Sequence, residues 1–234
     1  MSLNAKQVPM AGGGGGSAPV LDPGTYPARL VQVILMGIQP QRPYQGEDKP
    51  PALELYTTYE LLDEFMKDEE GNDIEDKPRW LSESFPFHNL KAEKAKSTLR
   101  YFSLDPRGTH DGEWSELLSS PVMLTIINRE GKGVNAGKQY NNIASTSAMR
   151  DKEAAKAPDL VNPAKLFNFY EPDKEVFDSL PEWLQEKIKG AVDYDGSDLQ
   201  ALIEGEEKPA DKPKDKAPKK KFVPEEEDDQ EVEW

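Results

Sequence analysis

Three strand-like segments, one helical segment and two more strand-like segments follow one another between residues 24 and 143, and this order restricts the fold more than any other feature. GTYPARLVQVILMGI, residues 24–38, is entered through the turn signal Asp22-Pro23-Gly24 and is rich in β-branched residues, so it reads as a long strand. In ALELYTTYELLDEF, residues 52–65, Leu53, Leu55, Thr57, Tyr59 and Leu61 recur at period two and share one face. Glu54, Tyr56, Thr58 and Glu60 take the other face. RWLSESFPFHNL, residues 79–90, puts Leu81, Phe85 and Phe87 in phase, with Trp80, Ser82, Ser84 and His88 opposite. The period then changes: in KAEKAKSTLRYFSL, residues 91–104, Ala95, Leu99 and Phe102 form an apolar stripe at helical spacing. PVMLTIINRE, residues 121–130, is a buried strand, and a Gly-rich turn leads to a fifth strand through Tyr140 and Ile143.

Strand, strand, strand, helix, strand, strand is the order of the OB-fold, a five-stranded Greek-key barrel; a sandwich fits the same pattern. The expected class is mainly β with α additions. Residues 1–19 read as a flexible Gly-rich arm, 20–150 as the barrel domain, 151–204 as a helical extension packed on it, and 205–234 as a disordered linker and acidic tail. In the extension, Ser179, Pro181 and Glu182 form a capping box for a helix whose stripe is Leu180, Trp183, Leu184 and Ile188. Ser197 and Asp198 start a second helix. Cysteine is absent, which removes disulfides and thiolate metal sites. With no signal-like or membrane-spanning run, the expected location is the cytoplasm.

A formal charge of −15 argues at first against a polyanionic partner, but the charge is segregated. Residues 47–76 carry −10 and residues 225–234 carry seven acids with no base. Residues 77–107 are net +4 and residues 129–165 net +3. Single-strand binders combine cations that follow phosphates with flat rings on which bases stack. Candidates for the first role are Arg42, Arg79, Lys91, Lys94, Arg100, Arg129, Lys132 and Lys138; for the second, Tyr44, Tyr56, Trp80 and Tyr140. Trp80 and Tyr56 lie out of phase with the expected core, although cover by the C-terminal helices would explain them equally.

Other chemistry finds little support. GKGVNAGKQ, residues 131–139, has three residues between Gly133 and Gly137 and Gln139 after the lysine, where a phosphate-binding loop needs four residues and a hydroxyl. His88 and His110 lack zinc-ligand spacing. No catalytic residue, metal or cofactor is expected. The alternatives are a metal-dependent nuclease using the acids around 54–76, and an acidic protein-interaction or DNA-mimic protein.

The tail EEEDDQEVEW places Glu225, Glu226, Glu227, Asp228, Asp229, Glu231 and Glu233 before a terminal aromatic, Trp234. With the barrel pattern and linker before it, this resembles bacteriophage single-stranded-DNA-binding proteins, in which a terminal Phe or similar ring closes an acidic tail. The opening PGTYPARLVQV is also similar to phage replication-associated OB-type proteins. The resemblance implies a non-enzymatic protein that coats single-stranded DNA during replication or recombination. It also implies a tail that competes with DNA and recruits replication partners. The acidic loop between the second and third strands and the helical module at 163–204 depart from that pattern.

Overall fold

A computed structural model describes residues 19–43, 46–131 and 133–205. The chain forms β1 (Gly24–Gln39), β2 (Ala52–Lys67), β3 (Asp73–Pro86), α1 (Lys96–Leu104), β4 (Pro121–Glu130) and β5 (Gln139–Ala148). There follow α2 (Asp151–Ala154), β6 (Lys165–Asn168), α3 (Lys174–Asp178), α4 (Glu182–Lys189) and α5 (Asp198–Glu204). The fold is mainly β: a six-stranded sheet in the antiparallel order β3-β2-β1-β4-β5, with β6 parallel to β1.

β1 is the spine. One edge pairs with β2 along most of its length; the other pairs with β4 over Gly24–Arg29 and then with β6 over Gln32–Leu35. An irregularity between Leu30 and Gln32 shifts the alternation. As a result Ala28, Leu30 and Val33 enter one core while Ile34 and Met36 enter a second. The first core also takes Tyr59, Leu61, Phe85, Tyr101, Trp114 and Leu124. The second gathers Phe167, Phe169, Phe177, Leu184 and Ile188 over the other face of the sheet.

The period-two reading of β2 and β3 holds: Leu55, Tyr59, Leu61 and Phe85 are buried together, with Leu81 and Phe87 against them. The closed five-stranded barrel does not form, because β3 and β5 share no backbone ladder. Side chains of α1 span the gap instead. Arg100 donates to the Glu83 carboxylate on β3 and, through Nη2, to the carbonyls of Ile143 and Ala144 on β5. Ser103 Oγ donates to the Thr146 carbonyl at 3.0 Å.

This bridging corrects the reading of α1. The helix begins at Lys96, and it buries Ser97, Thr98, Arg100, Tyr101 and Leu104, while Leu99 and Phe102 of the expected apolar stripe are 52% and 48% exposed. Unpaired strand carbonyls and a buried carboxylate cost free energy without donors, so the helix turns its polar face inward to meet them.

The C-terminal extension is not purely helical, since β6 joins the sheet. Arg29 holds the approach to it by donating to the carbonyls of Ala157 and Pro158. Further on, Asp193 Oδ1 accepts the Ile38 N–H at 2.8 Å and Asp193 Oδ2 accepts the Tyr170 hydroxyl at 2.7 Å. Gly37 is required at that junction. Its φ is +76°, and a Cβ there would lie 2.9 Å from Asp193 Oδ1. Ser197 caps α5 as expected, accepting the Gln200 N–H. Ser179 does not cap α4; its hydroxyl donates back to the Val176 carbonyl at the end of α3, and Pro181 takes the cap position. Leu180, Leu184 and Ile188 are buried, but Trp183 is exposed. No helix among the described residues is long and apolar enough to cross a membrane.

Candidate nucleic-acid interface

Between the start of α1 and the β4–β5 pair lies an open groove of about 340 Å³, lined by Lys94, Lys96, Leu99, Arg129, Asn142 and Ala144 with Arg100 behind them. These residues come from a loop, a helix and two strands, and the sheet register brings them together. Arg129 pairs with Tyr140 across the β4–β5 ladder, so guanidinium and ring share a face, and Asn142 follows two residues along. Tyr140 is exposed, as are Leu99 and Phe102 on the helix. The Phe102 ring stands edge-on to Tyr101 at 5.8 Å, which fixes its orientation.

The turn before Tyr140 is built on close approach. Gly131 N–H donates to the Lys138 carbonyl at 2.8 Å, and a Cβ on Gly131 would meet the Asn135 carbonyl at 2.4 Å and the Tyr140 ring at 2.8 Å. This segment joins two antiparallel strands rather than a strand and a helix, so it lacks the helix N-terminus on which a phosphate-binding loop depends.

Electrostatically the groove is cationic. Lys94, Lys96, Arg100 and Arg129 are opposed by the Glu83 carboxylate, which accepts from Arg100 Nε at 2.6 Å and lies 2.8 Å from Lys96 Nζ. Arg100 is thereby withdrawn from the expected set of phosphate contacts: its side chain is buried, and Nε and Nη2 are committed to Glu83 and the β5 carbonyls. It positions the groove wall. Lys96 remains half exposed and also lies over the Phe85 ring.

Other expected residues fall elsewhere. Trp80 lies on the opposite face of β3 from Glu83, and it is 41% exposed. Its indole N–H donates to Glu60 Oε2 at 3.0 Å. Glu60 is fully buried and also accepts from the backbone N–H groups of Val161 and Asn162 and from Asn162 Nδ2. Glu60, Glu75 and Asp159 line one neighbouring cleft, so the surroundings of Trp80 are acidic. Arg79 is not its partner, because successive strand residues point to opposite faces. Burial holds the Arg79 guanidinium below its usual pKa, partly offset by Glu64 and Tyr26. Tyr56 packs edge-on against Trp183 at 5.7 Å and belongs to the rim of the second core. Arg42, Lys91 and Lys138 are exposed in loops. Tyr44, Lys132 and the tail residues 225–234 lie outside the described residues.

Lys94, Arg129 and Tyr140 therefore converge as free groups, with Arg100 as support. Lys96, Leu99 and Asn142 line the groove with them, and Phe102 is exposed one turn beyond Leu99 on α1. For Leu99 and Phe102 the only sequence signal was the stripe itself, and its periodicity does not say which way the helix faces.

Among the described residues no group of three or more His, Asp or Glu side chains is arranged to hold a metal ion. His110 Nδ1 lies 3.0 Å from Glu116 Oε2, an isolated pair near the surface. The chain matches no protein-family model, no curated protein and no solved structure.

Proposed function

We propose that this protein binds single-stranded DNA without catalysing a reaction, laying the phosphates along the Lys94–Lys96–Arg129 groove and bases against Tyr140, Phe102 and Leu99. The observation that carries this reading is the meeting of Lys94, Lys96 and Arg129 with the exposed Leu99 side chain in one open groove, with the exposed Tyr140 ring beside Arg129 on the strand that borders it. Cations at the groove replace condensed counterions on the strand, and rings supply sequence-tolerant stacking. An OB-type ancestry, with α1 filling the seam between β3 and β5, accommodates the same arrangement. The acidic tail then serves as an intramolecular competitor for the groove and a recruiter of replication or recombination proteins, in a phage-infected cytoplasm.

The test is a fluorescence-polarisation titration of labelled oligo(dT) across a salt series. The expected result is binding that weakens with salt, and a Lys94→Ala/Arg129→Ala variant whose log–log slope is shallower by about 1.4, two single-strand phosphate contacts. Absence of binding at low salt overturns the reading.

A second reading, protein interaction through the acidic surface, is favoured by the commitment of Trp80 and Tyr56 to intramolecular contacts. It requires that oligo(dT) leave the protein unaltered. Cleavage of the strand in Mg²⁺ or Mn²⁺ would instead support a nuclease.

A further inference from the structure

A cavity of about 470 Å³ opens where the two cores meet. Its apolar walls include Val33, Leu55, Phe87 and Trp114 from the first core and Phe167 and Val176 from the second. Its charged lining residues are all acidic: Glu113, Glu171 and Asp173, each exposed to solvent. Two already serve local roles, Glu113 accepting from Ser115 Oγ and Asp173 capping α3, yet each keeps its negative charge at the rim. Trp114 is only 5% exposed, so its ring is a fixed part of the wall, and among the described residues its indole N–H has no hydrogen-bond partner.

An occupant of this cavity must supply an apolar anchor for the walls and cations for the rim. The chain carries such a segment beyond its last described residue. Fourteen residues after Gly205 begins Lys219-Lys220-Lys221-Phe222-Val223-Pro224. We propose that Lys219–Pro224 docks in this cavity, with Phe222 and Val223 against the apolar walls and the three lysines at the Glu113–Glu171–Asp173 rim.

Charge selects this segment over the other aromatic of the tail. Trp234 is preceded by seven carboxylates that the acidic rim repels, while Phe222 is preceded by three lysines that it attracts. The tether is long enough. Fourteen residues span up to roughly 45 Å when extended, against a radius of gyration of about 16 Å for a body of this size. α5, which precedes the tether, already packs Leu199 and Ile203 in the second core. Tethering at this length gives an effective concentration on the order of millimolar, so weak contacts suffice. Docking also sets where the acidic run begins, because Glu225 follows Pro224 directly.

The test uses the full chain, without DNA, and reads the assigned Trp114 indole resonance and the Gly112 and Ser115 amides by ¹⁵N–¹H NMR. Phe222→Ala, and separately Lys219→Glu/Lys220→Glu/Lys221→Glu, are expected to shift all three signals, and Trp234→Ala to leave them in place. Added peptide KKKFVP at millimolar concentration is expected to return the Phe222→Ala spectrum toward that of the parent chain. Signals unmoved by both tail variants overturn the proposal, as does a response to Trp234→Ala alone. Parent signals that move on dilution identify a second copy as the occupant and overturn docking in cis. None of these outcomes depends on whether the groove binds DNA.

Discussion

Arg100 on α1 and Glu83 on β3 meet as a two-point ion pair, with Nε 2.6 Å from Oε1 and Nη2 3.1 Å from Oε2. Both side chains are buried, and the same guanidinium reaches two carbonyls of β5. The pair does the work that a β3–β5 ladder would do in a closed barrel. Removing the arginine leaves a buried carboxylate with only Lys96 to answer it. Arg100→Met is expected to destabilise the fold by about 2 to 3 kcal/mol, measured by urea denaturation. Glu83→Gln/Arg100→Met should cost less than the two single changes added together, because no unpaired charge remains; strict additivity would show that the pair is not coupled.

Tyr140 and Phe102 are half exposed and contribute little to either core, so their replacement should separate binding from stability. Tyr140→Ala and Phe102→Ser are each expected to weaken oligo(dT) binding by about 1 to 2 kcal/mol, roughly five- to thirtyfold in affinity. Thermal midpoints should move only slightly. A loss of stability equal to the loss of binding would assign both rings to packing.

Glu60 fastens the segment leading into β6 to the sheet by accepting the N–H groups of Val161 and Asn162 as well as the Trp80 indole. Glu60→Ala leaves these donors unsatisfied and is expected to cost about 2 to 4 kcal/mol. Oligo(dT) affinity of the protein that remains folded should not change, since Trp80 stands outside the groove. A large fall in affinity would restore Trp80 to the binding surface.

Asp105 gives the fold a defined acid sensitivity. Burial by itself raises its pKa, but the N–H groups of His110 and Thr109, at 2.9 Å each, and the Thr109 hydroxyl outweigh it and hold the carboxyl at about 2. Because the folded value lies below that of the unfolded chain, the stabilisation is present above about pH 4. It is lost as pH falls toward 2. Asp105→Asn should therefore be less stable than the parent at pH 7 by about 2 kcal/mol, and the gap should narrow between pH 4 and pH 2. A gap constant over that interval would exclude the ionised carboxylate as its source.

Removing residues 225–234 takes away seven negative charges, the proposed competitor for the groove. Oligo(dT) binding should tighten at low ionic strength and converge with that of the full chain as salt screens the tail. Equal affinity at every salt concentration would sink the competition.

The strands were legible wherever one face alone meets a core: Leu55, Tyr59 and Leu61 announce the buried side of β2 by spacing alone. α1 was legible as a helix but not in its orientation, since Arg100 is drawn inward by Glu83 and the β5 carbonyls, partners that its own sequence cannot display. β6 has four residues and owes its existence to an edge of β1 that β4 leaves unpaired, a relationship invisible in either segment. Ser179 carried a valid capping pattern, yet the chain used its hydroxyl on the preceding turn. At the groove, Lys94 and Arg129 are candidates in the sequence because they fall in net-basic stretches, and Tyr140 because Lys138 precedes it; that Arg129 and Tyr140 face each other comes from the strand register. Arg79 and Trp80 illustrate the opposite case: adjacent in sequence, they are separated by the pleat.

β1 sends Leu30 and Val33 to one core and Ile34 and Met36 to the other. Both cores draw on this one strand, so the C-terminal segment cannot peel away without stripping the edge of the strand that the rest of the sheet hangs on. Amide protons of β1 should thus exchange through one global opening, and those on both sides of the Leu30–Gln32 irregularity should share its free energy. A single thermal transition is the expected outcome.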